Sequence, residues 1–200
     1  MSKYGALSLL RTSFEEARQS NRRQYPLMDV RELLVAVASS GLATWINTTR
    51  GAFAIVEALH VIATVTVFGT ILIVDLRLLG LPTTTRRFTA VAGETLRWTW
   101  AAFSLAAITG PLLFTTNPVF YFGNFEFRAK MLLLLLAGIN MAVFEFHTIK
   151  TVALWDIGKS PPASAKLAGT LSLVLWLSVI TFGRLIGFAA SATQDPFATL

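Results

Sequence analysis

The sequence predicts an all-α fold, an integral-membrane four-helix up-down bundle preceded by an amphipathic interfacial helix. Three observations predict it. Of the 200 residues, 54% are hydrophobic and 14% charged, where a soluble domain carries about 25% charge. The charges also leave long gaps, with none from Trp98 to Phe125 or from Leu167 to Gly183. A membrane span needs roughly 20 mostly apolar residues. Both gaps meet that need, and so do the stretches around 52–75 and 129–150 once a few internal polar groups are allowed.

Taken in order, residues 1–27 (MSKYGALSLLRTSFEEARQSNRRQYPL) read as a basic polar extension. Arg and Glu recur through it, and it holds no uninterrupted apolar core of the kind a secretory signal needs. Residues 28–50 read as the amphipathic interfacial helix. Asp29 is placed to cap it, and Leu33, Leu34, Val37, Trp45 and Ile46 share a broad face. Ser39-Ser40-Gly41 weakens this segment too much for a fifth span, and Trp45 suits headgroup depth.

The bundle is expected over 51–190, with spans at about 52–75, 96–116, 129–150 and 165–188. Gly80-Leu81-Pro82 ends the first span, and TTTRRFTAVAGE reads as the loop before the second. Pro111 lies inside the second span, where a proline removes one backbone hydrogen bond and is expected to kink the helix. Asn117-Pro118 separates the second span from the third, and Ser160-Pro161-Pro162 separates the third from the fourth. Residues 191–200 read as a polar tail. Small residues line up at Ala102, Ala106 and Gly110, and again at Gly183 and Gly187. Such stripes allow close helix contact, or leave room for a flat ligand.

Charge and composition exclude several classes. The net charge of +6 suits anionic lipids. No basic patch is interleaved with aromatics, so nucleic acid is not an expected partner. Cysteine is absent, which rules out disulfides and thiolate metal sites. No nucleophile-base pair, phosphate loop or nucleotide fingerprint is present. Arg77, Arg86, Arg87, Arg97, Lys150, Lys159 and Lys166 flank the loops after the first and third spans. The positive-inside rule therefore places both loops in the cytoplasm.

Ionisable side chains within spans are costly and usually tied to function. In an up-down bundle with 1.5 Å rise per residue, they fall into two layers. Glu57, His60, Arg128, Lys130 and Arg184 form one, towards the outer face. Asp75, Arg77, Glu94, Arg97, Glu145, His147 and Lys150 form the other. The two histidines are therefore roughly 20 Å apart along the bundle and cannot clamp one iron. Glu57-Ala-Leu-His60 has the Glu-x-x-His spacing of di-iron bundles, but those need two such pairs and further carboxylates. Read without a ligand, the outer layer is a salt-bridge network, with Glu57 paired to Arg184.

The strings VEALHVIATVTVFGTILIVDLRLLGL and FRAKMLLLLLAGINMAVFE resemble an uncharacterised family of small bacterial membrane proteins. Its members carry Glu-x-x-His early in the first span and Asp-Leu-Arg-Leu-Leu-Gly at its end. The resemblance covers about residues 30–190, and Asp75–Gly80 is its most specific part. More distantly, the layout is similar to copper-resistance-D domains and to the four-helix bacterial protoporphyrinogen oxidases. In those oxidases a histidine in the first span and a lysine opening the third accompany b-type haem. His60 and Lys130 match these positions, whereas Asn140 stands near the place of a further histidine.

The resemblance implies haem b as cofactor and His60 as the metal ligand. Glu57 would orient the other ring nitrogen, and Met131 would offer a second axial ligand. Arg128, Lys130 and Arg184 would meet the propionates. The expected function is electron transfer or that of a redox subunit. Two alternatives are a non-catalytic membrane subunit, with a complex partner or a second copy, and a small-solute or metal transporter. The lipid bilayer is the partner common to all three.

Overall fold

The computed structural model describes residues 27–81 and 85–192, with backbone alone for 27–29 and 190–192. The expected extension (but for Leu27) and the expected polar tail (but for Ser191 and Ala192, which continue the last helix) lie outside these residues. Every regular element among the described residues is helical. The chain runs through α1 (Leu27–Ala38), α2 (Gly41–Thr48), α3 (Ala52–Leu79), α4 (Phe88–Thr116), α5 (Pro118–Gly123), α6 (Phe125–Val143) and α7 (Ala163–Ala192). A π-helical turn (Phe144–Thr148) and a 3-10 turn (Ile149–Leu154) continue α6.

The segment expected as one interfacial helix is two. Ser39-Ser40-Gly41 divides it, because the Ser40 hydroxyl accepts from the Ala43 N–H and starts α2 afresh. Asp29, expected at the cap, lies inside the first turn of α1. Ala43 and Ile46 are buried against the bundle, while Leu33, Val35, Leu42 and Trp45 stay exposed. Asn47 donates through Nδ2 to the Thr116 carbonyl at the end of α4 (3.2 Å), anchoring α2 there.

Four helical segments of 27–30 residues are long and apolar enough to span a membrane. Between 11 and 17% of the most apolar window of each is buried, so most of the surface needs an apolar medium. A water-soluble monomer rarely exposes apolar patches above a few hundred Å². The molecule is a multi-pass membrane protein with an all-α bundle.

The second span begins eight residues before its expected start at 96, at Phe88. A distant residue sets this boundary. The Asp156 carbonyl accepts from Phe88 N–H and its carboxylate from Thr89 N–H, each at 2.9 Å. An acceptor there satisfies donors that a helix start otherwise leaves open. Phe88 then packs on Trp155 and Phe144, in a buried cluster with Leu78 and Ala165. The helix continues through Pro111. The third span, expected as one helix over 129–150, leaves α-geometry after Val143.

The helices pack in the order α4–α3–α7–α6, and α1 and α2 lie against the α3–α4–α5 side. Between α4 and α6 there is no extended backbone contact. These two spans meet through aromatic side chains near their ends, Phe114 stacked on Phe127 (5.5 Å) and Phe88 edge-on to Phe144 (6.0 Å).

Candidate functional site

His60 lies in α3, two and a half turns from Gly51, whose positive φ of 81° opens the helix. Its imidazole turns towards α4, where Nδ1 is 2.9 Å from Thr109 Oγ1. The Thr109 hydroxyl donates to the Leu105 carbonyl at 2.8 Å. A hydroxyl has one proton to give; with it on the Leu105 carbonyl, Thr109 Oγ1 can accept from His60, the arrangement in which Nδ1 carries the hydrogen. That tautomer leaves Nε2 with its lone pair. Gly110 makes room for the ring: a Cβ there would stand 3.3 Å from His60 Cε1.

A parallel arrangement occurs in the second helix pair. Lys130, near the start of α6, lies across Gly183 of α7, where a Cβ would be 3.4 Å from Nζ. The Lys130 ammonium is within electrostatic range of the His60 ring. Each pair thus has a polar side chain from its first helix against a glycine of its second. Of the two stripes in the sequence, Gly110 and Gly183 are the members in contact with these groups.

The other expected site residues are not gathered around His60. Glu57, expected to orient the ring nitrogen that does not ligate, is exposed, and Nδ1 is instead bonded to Thr109. Its charge reaches Tyr121 in α5, whose phenol is pushed up chiefly by burial and further by Glu57. Arg184 is exposed and stacks over Phe188 of its own helix (5.2 Å), so the expected pairing with Glu57 is not formed. Arg128 is exposed as well. Met131 is 42% exposed. Adjacent residues on a helix point about 100° apart, so with Lys130 turned inward Met131 turns out.

At the far end, the Asp75–Gly80 string has a largely structural explanation. Arg77 Nε and Nη2 donate to the Arg86 carbonyl at 3.1 and 3.0 Å, and Nη2 also to the Asp156 carbonyl at 2.9 Å. One buried guanidinium thereby fastens two loops. Leu78 belongs to the core cluster. Gly80 adopts φ 86° and ends α3, with the Leu81 N–H reaching back to the Leu76 carbonyl (2.8 Å). Asp75 is buried beside Ser172. His147 is exposed on the π turn, remote from His60.

Sequence reasoning missed Thr109, Ser172 and the capping role of Asp156. A threonine in an apolar helix gives no signal of its own, since its hydroxyl bonds its own backbone wherever the helix faces. Among the described residues, no three His, Asp or Glu side chains gather as a metal site.

Fold and site together define a four-span membrane protein with one oriented histidine in the half of the bundle away from the Asp75–Gly80 string. The chain belongs to the family of unknown function DUF6644, whose model matches residues 34–189. No curated protein and no solved structure matches it.

Proposed function

We propose that this chain binds b-type haem through His60 and acts in electron transfer or as a redox subunit of the bacterial inner membrane. The observation that supports it is the His60–Thr109 hydrogen bond. Metal-ligating histidines characteristically give their other N–H to a fixed acceptor, which sets tautomer and ring direction. Here Thr109 does this from a neighbouring helix, leaving Nε2 able to ligate.

Haem also suits the sparse donor set. The porphyrin supplies four nitrogens, so the protein need provide only one or two axial ligands. Bound there, haem would supply one-electron chemistry. Lys130, at His60's depth, is the cation best placed for a propionate. In this proposal the flat group sits between α4 and α6, which make no extended backbone contact. On this reading the family is distantly akin to the four-helix protoporphyrinogen oxidases and copper-resistance-D domains, and the loops after α3 and the 3-10 turn are cytoplasmic.

The test is an absorption spectrum of detergent-purified protein expressed with ample haem. A Soret band that disappears in His60→Ala and survives in His147→Ala is the expected result. No band in the wild-type protein removes the proposal. Co-purification of a larger cofactor-free complex would then favour a non-catalytic membrane subunit.

A further inference from the structure

Asp75 is 4% exposed, and nothing derived so far uses its carboxyl fully. It lies where α3 and α7 approach most closely. A Cβ on Gly169 would come within 3.2 Å of the Asp75 carbonyl oxygen and 3.1 Å of Leu78 Cβ. The Ser172 hydroxyl, three residues along α7, is the polar side chain beside the carboxyl. Oδ2 is fully enclosed and has no partner.

No counter-charge meets this group. Arg77, two residues on, points to the other side of α3 and spends its donors on the Arg86 and Asp156 carbonyls. Its one spare nitrogen, Nη1, is buried without a partner of its own. Glu94 is tied to Arg86 at the surface. Arg97, Glu145, His147, Lys150 and Lys166, the remaining ionisable groups of the helical elements around this end, are exposed. A buried carboxylate with one hydroxyl and no cation carries a desolvation penalty of several kcal/mol. A permanent neutral acid with its proton on Oδ2 would bury an O–H donor that has no acceptor there, which also costs free energy. In neither protonation state does the protein supply a partner to Oδ2.

Depth matters as well. Thr70 and Thr99 are hydrogen-bonded across α3 and α4 (2.9 Å), and these antiparallel helices bring Asp75 level with Glu94. That level lies beyond exposed Arg97 and Trp98, where aromatic and basic residues mark a membrane boundary. Protons from the adjoining water are one helical turn or so away.

We infer that Asp75 is a proton-binding site: its carboxylate takes a proton from water at this boundary onto Oδ2 and returns it. The other members of the string (Arg77, Leu78 and Gly80) hold the helix end together around it. The inference does not depend on haem, and its readout is separate from the Soret band.

The experiment is infrared spectroscopy of the full-length protein in lipid nanodiscs, titrated with pH. A carbonyl band of protonated carboxylic acid is expected that titrates reversibly, shifts in heavy water and is lost in Asp75→Asn. The band should persist in the exposed control Glu94→Gln. Should Asp75→Asn fail to fold, Ser172→Ala serves instead, because removing the hydroxyl beside the carboxyl must shift the same band. A wild-type protein with no acid band at any pH, or a band that never titrates, overturns the inference.

Discussion

His60 and Thr109 show how one rotation about a helix axis decides chemistry. Thr109 is 3% exposed, so Thr109→Val leaves the His60 N–H facing a methyl group. The expected cost is about 1–3 kcal/mol, the penalty of an unsatisfied buried donor, read as a lower unfolding temperature in detergent. If haem is bound, the same variant should retain it with a changed reduction potential, because the acceptor tunes ligand basicity. Glu57→Gln, at an exposed position bonded to neither ring nitrogen, should leave that potential unchanged. Gly80→Ala tests the α3 terminus. Its φ of 86° is strained for any residue with a Cβ, at about 1–2 kcal/mol.

At the scale of elements, the glycines separate close contact from open space. Gly169→Ala would press a methyl group on the Asp75 carbonyl oxygen and on Leu78. Overpacking of this kind costs about 1–3 kcal/mol. Gly138→Ala in α6 meets nothing within 4 Å and should be neutral or stabilising, by up to about 1 kcal/mol of helix propensity. Comparing the two in one thermal-unfolding series checks that α3 and α7 set the tightest contact. The start of α4 depends on Asp156, whose carboxylate accepts from the N–H and hydroxyl of Thr89. Asp156→Ala should cost about 0.5–2 kcal/mol, the range for losing a cap. Hydrogen exchange should rise first at residues 88–92, whose early start had no visible cause in the local text. The loop TTTRRFTAVAGE reads as polar because its capping partner is 67 residues away.

For the whole molecule, the testable statement is topology. The chain has no cysteine, so single substitutions can be labelled without background. Lys159→Cys should react with a membrane-impermeant maleimide only in inverted vesicles, and Arg50→Cys only in right-side-out cells. The reverse pattern would turn the bundle over, leaving its internal geometry intact. By itself, the sequence determined the all-α class and the number of spans. Those properties follow from composition, run length and helical rise, each local and additive along the chain. Only the tertiary structure decided that Thr109 rather than Glu57 holds His60, and that Lys130 turns inward while Met131 faces out. It also decided that Asp156 starts α4 and that Asp75 is enclosed beside Ser172. Those outcomes depend on the rotation of each helix about its axis and on contacts between residues far apart in the chain. A helix hydrophobic nearly all round carries too weak a stripe to announce which side faces its neighbours.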